Sequence, residues 1–348
     1  MLNDIVKPLT EWYRQNKRSL PWRDRHNAYY TWVSEIMLQQ TRVEAVKPYF
    51  RRFTEELPDP AALAECPEEK LLKLWEGLGY YNRVRNMQIA AQTVVEEYDG
   101  VLPASYDKLL SLKGIGSYTA GAIASIAYDI PVPAVDGNVL RVITRIIEDD
   151  GDIMKQSVKK RIENKLQEIM PGEYPGDFNQ ALMELGAVVC VPNGEPKCDV
   201  CPVAFCCGAR AHGTIDRFPV KAQKKDRKLE DRTVLVIQDG EKTAIRRRPS
   251  RGLLAGLYEL PNLKGHLSEE EVLESVKAMD LEPLRIEALP EAKHIFSHIE
   301  WRMTAYRVRV SSLEEIRQND LLFVGKRQSD DQYAIPSAFS AYTKYIRE

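Results

Sequence analysis

The sequence predicts two domains, an all-α domain followed by an α+β domain. Its 348 residues suit two domains, because a domain commonly has roughly 100–200 residues. Apolar residues recur with the helical period up to about residue 207 and alternate with the strand period of two after about residue 231. Hydrophobic residues make up 44% and charged residues 29% of the chain, which argues against a disordered protein.

The first domain is predicted over residues 1–207, and turns rich in proline and glycine separate its amphipathic helices. The helices are predicted near residues 3–16, 29–39, 42–56, 67–76, 84–98, 118–128, 138–147, 156–169 and 178–190. No strand alternation interrupts them, so this domain is expected to be all-α.

A charged segment, residues 208–230, is predicted as a linker to the second domain at residues 231–348. The linker either stays solvated or also contacts phosphates. In the second domain, short runs of alternating residues predict strands and two amphipathic segments predict helices. The strands are predicted over 233–238, 243–248, 254–260, 303–310 and 321–324, and the helices near 268–279 and 337–347.

The balance of charges limits how the chain could bind nucleic acid. Lys and Arg number 49 against 51 Asp and Glu, for a net charge of −2, so no broad cationic surface is expected. Any nucleic-acid contact is then local, through helix N-termini, backbone amides and a few cations. The chain has no apolar run long enough to cross a membrane, and residues 1–20 lack the apolar segment of a signal peptide, so we expect a cytoplasmic protein without a membrane partner.

Four cysteines lie close together after the last predicted helix of the first domain, at Cys190, Cys198, Cys201 and Cys207. Reduced thiols in this C-x7-C-x2-C-x5-C spacing suit coordination by zinc or by the irons of a [4Fe–4S] cluster. The loop contains prolines and a glycine and too little apolar mass to pack alone, so a metal site is predicted. Spacing does not choose the metal, and Cys206 leaves the identity of the fourth ligand open.

Gly114 and Gly116 lie in a tight turn between two short helical segments. Such a turn exposes successive backbone N–H groups at the start of the next helix, where they can bind a phosphate without a cationic side chain. The alternative interpretation is an ordinary corner between two helices.

Two carboxylates are candidates for catalysis because of where they lie. Glu35 interrupts the apolar run at residues 32–38, where burial is costly unless the group is hydrogen-bonded or functional, and burial would suit it to act as a general acid. Asp136 precedes a predicted helix, so it either caps that helix or is held ionised by backbone amides to face a developing cation. Together the two could cleave a glycosidic bond, one as the acid and the other stabilising an oxocarbenium-like transition state.

Several motifs follow one another in a characteristic order. They are residues 20–23 (LPWR), 32–41 (WVSEIMLQQT), 77–81 (GLGYY), 112–116 (LKGIG), 135–139 (VDGNV) and the four cysteines. This ordered set resembles the adenine DNA glycosylases of the helix-hairpin-helix superfamily. The resemblance covers residues 5–210 and, less closely, residues 230–348. It implies a helix-hairpin-helix glycosylase domain with an iron–sulfur loop, followed by a Nudix-like domain.

The resemblance implies removal of adenine mispaired with 8-oxoguanine or guanine in duplex DNA, during base excision repair, by a monomer associated with the nucleoid. By position, Glu35 matches the general acid that protonates adenine N7, and Asp136 matches the carboxylate that stabilises the sugar cation. Tyr118 and Asn138 match residues that position these groups. The adenine must leave the base stack to reach Glu35.

The resemblance also implies DNA contacts and a cofactor. DNA or lesion contacts are implied for Gln40, Thr41, Leu78, Tyr80, Gly114, Gly116, Phe296, Ser297 and His298. The four cysteines are implied to hold a [4Fe–4S] cluster, although the first gap has one residue more than the family's C-x6-C. Without the family, Tyr80 reads equally as a core aromatic residue and residues 296–298 as an exposed turn. Whether Arg23 or Arg25 enters the adenine pocket stays open.

Differences from related families limit which reactions this chain is expected to catalyse. Endonuclease III carries a lysine that forms a Schiff base where this chain has Tyr118, so base removal with little or no strand scission is predicted. Residues 269–271 lack the arginine and the spacing of the Nudix metal box, so pyrophosphate hydrolysis is not expected. A pyrimidine-lesion glycosylase with lyase activity and a non-catalytic DNA-binding protein are the competing hypotheses. Tyr118 and the second domain argue against the former, and Glu35 argues against the latter.

Overall fold

The computed structural model describes residues 2–23, 27–222, 226–311 and 320–346. The chain folds into two units. The first consists of Met1–Cys66 and Asn82–Gln223, and the second consists of Pro67–Tyr81 and Lys224–Glu348. The sequence-based boundaries at residues 207 and 231 differ from this division mainly at residues 67–81, which pack with the second unit.

Helices make up most of the first unit, as the sequence predicts. In chain order the helices are α1 Val6–Asn16, α2 Ala28–Leu38, α3 Val43–Glu56, α4 Pro60–Glu65, α5 Glu68–Leu74, α6 Asn82–Tyr98, α7 Tyr106–Ser111, α8 Ser117–Tyr128, α9 Gly137–Ile147, α10 Gln156–Gln167, α11 Pro175–Val188 and α12 Gly208–Ala211. Only α5 among these belongs to the second unit. The sequence does not predict α4 or α7, because each has six residues, too few to show a helical period.

One hydrophobic core of the first unit lies where α1, α9, α10 and α11 meet around Leu9, Ile143 and Phe178. Helix α8 is buried along most of its length and consists mainly of small residues, so it approaches its neighbours closely. A Cβ on Gly121 would lie 2.2 Å from the carbonyl oxygen of Pro133, so only glycine permits this packing. The contact places the loop that leads into α9 against α8. No helix in the described ranges combines the length and apolar character needed to cross a membrane.

The described residues of the second unit form a mixed sheet of seven strands. The strands are β1 Lys228–Asp239, β2 Lys242–Arg247, β3 Tyr258–Glu259, β4 Asn262–Lys264, β5 Pro283–Ile295, β6 Ile299–Val310 and β7 Leu321–Val324. Their order is β3-β2-β1-β6-β5, with β4 beside β1 and β7 beside β2. Strands β1 and β6 are parallel, whereas the other pairs are antiparallel. With α13 Glu269–Lys277, α14 Lys326–Gln332 and α15 Ser340–Thr343, this unit has the α+β class that the sequence predicts.

Two strand predictions need correction. Strand β5 is missing from the sequence-based prediction because Leu289 is its one buried residue, so the strand shows no apolar alternation. The strand predicted over 254–260 is wrong over most of its length, since only Tyr258–Glu259 pairs with a neighbour. Gly252, Leu254 and Gly256 have positive φ, which turns the chain just before β3.

The predicted linker is shorter than expected in the structure. The carbonyl oxygen of Phe218 accepts a hydrogen bond from Arg145 Nε at 3.1 Å, and that of Val220 accepts one from the Ile153 N–H at 3.0 Å. These bonds pack the start of the charged segment against the first unit. Strand β1 begins at Lys228, so the sheet also extends into the segment. Charge composition alone does not show which polar residues have backbone partners.

Candidate active site

A cavity of about 1170 Å³ opens in the first unit and brings together side chains from distant parts of the chain. Helix α2 supplies Glu35, α8 supplies Tyr118, and the start of α9 supplies Asp136 and Asn138. The structure thus places all the candidate catalytic residues around one space. Gln40 and Thr41, which follow α2, also line it.

Glu35 is a buried carboxyl group with a directed hydrogen-bond partner. Seven consecutive residues of α2, 31–37, are buried, so the helix carries Glu35 into the interior with its apolar neighbours. The Tyr118 hydroxyl donates a hydrogen bond to Glu35 Oε2. Burial raises the pKa of Glu35 to about 7 and the nearby Asp136 charge adds to the rise, whereas the Tyr118 hydrogen bond and Arg23 oppose it. A carboxyl group in this state can hold a proton near neutral pH.

Tyr118 is the second residue of α8 and is enclosed between Glu35 and Met183. Its hydroxyl lies 3.8 Å from the Met183 sulfur. Burial, together with the charges of Glu35 and Asp136, raises the pKa of Tyr118 well above its ordinary value. The phenol therefore stays neutral and acts as a hydrogen-bond donor rather than as a base.

Asp136 caps α9 and also lines the cavity, so the helix-cap interpretation and the active-site interpretation are compatible. Its Oδ1 accepts the Val139 N–H at 2.8 Å, and its Oδ2 accepts a hydrogen bond from Asn138 Nδ2 at 2.7 Å. Burial raises the pKa of Asp136 above its ordinary value, even though these bonds lower it. This direction differs from the expectation based on the amides alone, because the cavity removes solvent from the same carboxylate.

Asn138 belongs to a hydrogen-bond chain that the sequence did not reveal. Its Oδ1 accepts from Arg141 Nη2 at 2.9 Å. The Arg141 guanidinium also donates to the carbonyl oxygens of Gly186 at 2.7 Å and Cys190 at 2.9 Å. Because the Asn138 oxygen faces a cation, its amide nitrogen is directed at Asp136. The chain of contacts thus runs from Asp136 to the backbone of the cysteine loop.

Glu184 is a second buried carboxylate of the cavity that sequence reasoning missed. Arg18 donates to it through Nε at 2.6 Å and Nη2 at 3.0 Å, and Arg23 Nη2 donates at 2.8 Å. Burial alone raises its pKa, but the two arginines hold the pKa of Glu184 below its ordinary value. The sequence signal was the same as for Glu35, a glutamate within an apolar helix. Arg23 lines the cavity, whereas Arg25 lies outside the described residues.

The glycine turn before α8 combines a left-handed residue with a helix start that has no side-chain cap. Gly114 has a φ of +79°, and Gly116 is the N-cap of α8, with no side chain accepting the first helical N–H groups. Neither glycine lines the cavity. The turn is therefore a separate feature of the same helix that carries Tyr118.

Leu78 and Tyr80 lie in the second unit, in a turn after α5. Gly77, Gly79 and Tyr80 all have positive φ. Leu78 and Tyr81 are buried, whereas Tyr80 is 50% exposed. Of the two adjacent tyrosines, Tyr81 is thus the core residue and Tyr80 presents its ring to solvent.

Residues 296–298 form the turn between β5 and β6. Phe296 packs edge-on against Trp301, with ring centroids 5.0 Å apart, and against His294 at 4.6 Å. Ser297 and His298 are exposed. An anchored aromatic residue therefore holds two polar side chains at the tip of the hairpin.

The four predicted cysteine ligands line one small pocket of about 30 Å³. Arg145 Nη1 donates to the Cys190 sulfur at 3.2 Å. The Cys206 thiol instead bonds the carbonyl oxygen of Val203 at 3.4 Å, and Cys206 does not line the pocket. In the part of the chain that the structure describes, no three His, Cys, Asp or Glu side chains are arranged to hold a metal ion.

Comparison with known proteins agrees with this architecture. Residues 33–171 match the HhH-GPD superfamily of base excision DNA repair proteins, and residues 233–345 match the NUDIX domain. Adenine DNA glycosylase of Mus musculus is 36% identical, over 86% of this chain and 69% of that protein. The chain belongs to the adenine DNA glycosylase family. It is therefore a DNA glycosylase, an enzyme of base excision repair, with a helix-hairpin-helix domain and a Nudix-like domain.

Two further similarities extend over most of a relative or a solved structure. Adenine DNA glycosylase of Buchnera aphidicola subsp. Acyrthosiphon pisum (strain APS) is 31% identical, over 87% of this chain and 86% of that protein. The structure of a thermostable thymine-DNA glycosylase is 25% identical with a TM-score of 0.54, covering 60% of this chain and 96% of that one. The family assignment thus rests on both units, whereas the structural match covers only part of the chain.

Proposed function

We propose that this adenine DNA glycosylase excises adenine mispaired with 8-oxoguanine or guanine in duplex DNA, with Glu35 as general acid and Asp136 as stabiliser of the sugar cation. The observation that carries the proposal is that Glu35 and Asp136 line one cavity, with the pKa of Glu35 raised to about 7. Two carboxyl groups with different environments are what glycosidic cleavage requires. We propose further that the enzyme acts as a monomer on chromosomal DNA.

The first chemical step is protonation of the leaving base. The adenine leaves the base stack, which costs a few kcal/mol, and enters the cavity. Protonated Glu35 gives its proton to adenine N7 while the bond between N9 and the sugar C1′ breaks, and the bonding electrons leave with the base. A pKa close to the working pH suits this transfer, because a useful fraction of the acid is then protonated and is still acidic enough to donate its proton. The adenine departs neutral.

Asp136 acts on the other product of bond cleavage, the oxocarbenium-like sugar. The Val139 N–H and the Asn138 amide bond the two oxygens of Asp136, which favours the ionised carboxylate. A fixed negative charge stabilises the cation as it develops, without reorganisation of solvent. Water then adds to C1′ and gives a proton to the Glu35 carboxylate, which restores the acid and leaves an abasic site. Tyr118 and Asn138 position the two carboxyl groups.

DNA recognition is assigned to residues of both units. The backbone N–H groups after Gly114 and Gly116 bind phosphate, since the start of α8 has no side-chain cap. Gln40, Thr41, Leu78 and Tyr80 are proposed to contact the mispair and the gap left by the adenine, and residues 296–298 are proposed to contact the oxidised purine. The exposure of Tyr80, Ser297 and His298 supports this assignment.

Cys190, Cys198, Cys201 and Cys207 are proposed to hold a [4Fe–4S] cluster. Their common pocket and the absence of Cys206 from it support this ligand set. When bound, the cluster supplies a covalent cross-link between the end of α11 and the loop up to α12. Purified protein that holds the cluster should absorb broadly at roughly 400 nm and contain iron. A colourless protein with stoichiometric zinc would contradict the assignment.

The decisive experiment follows adenine excision from a duplex with one adenine opposite 8-oxoguanine, with and without alkali. Strand breaks only after alkali are expected, because Tyr118 offers no amine for a Schiff base. Breaks without alkali would indicate a lyase, and no breaks would indicate a non-catalytic DNA-binding protein. Glu35→Gln should abolish excision and retain duplex binding. The matched control is Glu97→Gln, an exposed carboxylate on α6.

A further inference from the structure

Residues 67–81 contain an ion pair at the end of α5. Lys73 Nζ lies 2.6 Å from Glu76 Oε2, and both side chains are largely covered. These two residues precede the turn that carries Tyr80. The pair therefore lies at the junction between the helix and the proposed lesion-contacting residue.

Both members of the pair also bind backbone groups of α14 and of the segment that follows it. Lys73 donates to the carbonyl oxygens of Ser329 at 3.2 Å and Tyr333 at 3.0 Å. Glu76 Oε1 accepts the Ile335 N–H at 2.7 Å. Hydrogen bonds with an ionised partner are stronger than neutral ones and more directional than a surface ion pair. The end of α5 is thus fixed to residues 329–335 by backbone contacts that do not depend on side chains there.

The turn after the pair has little freedom of its own. Trp75 is fully buried, its Nε1 donates to the carbonyl oxygen of Gly79 at 3.1 Å, and its own carbonyl accepts the Leu78 N–H at 3.1 Å. Tyr80 has a φ of +48°, which is strained for a non-glycine residue. A turn with these constraints moves with the helix end to which it is attached. Any shift of Lys73 or Glu76 is therefore passed on to Tyr80.

We propose that Lys73 and Glu76 are positioning residues for Tyr80 that set the preference for 8-oxoguanine over guanine opposite the adenine. They hold Tyr80 within the unit that also carries residues 296–298, so that both contacts reach the opposing base together. Loss of the ion pair allows Tyr80 to move relative to residues 296–298. The oxidised purine loses more than guanine does, because only the oxidised purine contacts residues 296–298 and that contact requires Tyr80 to hold the purine in place. The inference rests on the proposed function, in which Tyr80 and residues 296–298 contact the opposing base.

The test compares single-turnover excision of adenine opposite 8-oxoguanine and opposite guanine, with enzyme in excess. Lys73→Met keeps the aliphatic stem and removes the ammonium group. It should slow excision opposite 8-oxoguanine about tenfold, because a misplaced contact is costly, and change excision opposite guanine by less than about twofold. Arg327→Met is the control, since it removes one exposed cation from α14. It should leave both rates unchanged.

Two further variants separate positioning from general damage. Tyr80→Ala should lower the same rate ratio, and adding Lys73→Met to it should change the ratio no further, because Lys73 acts through Tyr80. Glu76→Gln keeps an oxygen for the Ile335 N–H, so it should lower the ratio of the two excision rates less than Lys73→Met does. If Lys73→Met does not fold, Glu76→Gln provides the test. An unchanged ratio in either variant, equal losses on both duplexes, or independent effects with Tyr80→Ala would overturn the inference. A native enzyme inactive on both duplexes would instead overturn the proposed function.

Discussion

At the scale of single residues, the chemistry depends on what burial does to a carboxyl group. Glu35 and Glu184 both lie buried on apolar helices, yet their pKa values move in opposite directions. Glu184 faces two arginines and stays ionised, whereas Glu35 faces a neutral phenol and the carboxylate Asp136. The partner therefore decides which of two buried glutamates can carry a proton at neutral pH.

The pH dependence of excision should follow Glu35. Its proton is required, so the single-turnover rate should fall as the pH rises through about 7, by about tenfold per unit beyond it. Asp136 must be ionised, so the rate should also fall at acidic pH. Because burial raises the pKa of Asp136, this fall should begin at a higher pH than the ordinary pKa of an aspartate would give. Rates measured at matched ionic strength, with duplex affinity as the control, test this. A rate that stays constant from neutral to alkaline pH would rule out Glu35 as the acid.

Replacement of Glu35 should also stabilise the fold at alkaline pH. Its pKa rises from 4.5 to about 7 on folding, so the folded state holds the extra proton and the free energy of unfolding falls as pH rises through that window. Glu35→Gln removes this cost and should gain about 3 kcal/mol at pH above the window, with no gain at pH below it. Denaturant titrations at both ends of the window measure the difference. Equal stability of both proteins at alkaline pH would contradict the raised pKa.

Tyr118→Phe should move the alkaline limb of the pH profile. The Tyr118 hydrogen bond favours the ionised form of Glu35, so its loss raises the pKa of Glu35 further. The limb should shift upward by about one pH unit or more. The same pH series, run on both proteins, makes the comparison. A downward shift would show that the hydroxyl favours the protonated acid instead.

At the scale of elements, the close approach of α9 and α11 sets the geometry of Asp136. A Cβ on Gly186 would lie 2.6 Å from the Asn138 Cβ and 3.2 Å from its Cα. Asn138 in turn donates to Asp136 and accepts from Arg141. The absence of one methyl group on α11 thus allows a residue at the start of α9 to orient the proposed catalytic carboxylate.

Gly186→Ala should therefore damage both stability and catalysis. We expect a loss of about 1–3 kcal/mol in the free energy of unfolding, because the added methyl overpacks the contact. Displacement of Asn138 should slow excision on the order of 100-fold. Gly172→Ala is the matched control, since a Cβ there meets nothing within 4 Å. If Gly186→Ala excises adenine at the native rate, the α9–α11 contact does not position Asp136.

At the scale of the whole molecule, the cysteine loop ties distant segments of the first unit together. Arg145 of α9 bonds the Cys190 sulfur and the Phe218 carbonyl, and Arg141 bonds the Cys190 carbonyl. The pocket between these groups is lined by the four proposed cluster ligands. The proposed cluster would therefore anchor the loop and the chain segment that follows it.

Removal of iron should lower the melting temperature and loosen this region. Without the cross-link, the loop has only short 3-10 turns, and residues 190–220 should lose protection in hydrogen exchange. Cys198→Ser should lose iron and its absorbance, while Cys206→Ser should retain both, because Cys206 does not line the pocket. Equal iron loss in the two variants would contradict the ligand assignment.

Much of the architecture could be predicted from short-range patterns. The long helices, the cysteine spacing and the position of Asp136 before α9 depend on residues a few positions apart, so periodicity and capping rules were sufficient. Glu35 was identifiable because a glutamate within an apolar helix is a local anomaly. The same rule could have identified Glu184, whose partner Arg18 lies 166 positions earlier and left no local signal.

Local sequence thus determined the long helices, several of the strands and the residue types that are available for chemistry. Only the tertiary structure decided that Glu35, Tyr118, Asp136 and Asn138 share one cavity, and that α5 packs in the second unit rather than the first. The reason is physical: an amphipathic pattern shows that a face is buried but not which surface covers it. Desolvation, pKa shifts and hydrogen-bond partners arise only when distant segments enclose the same space.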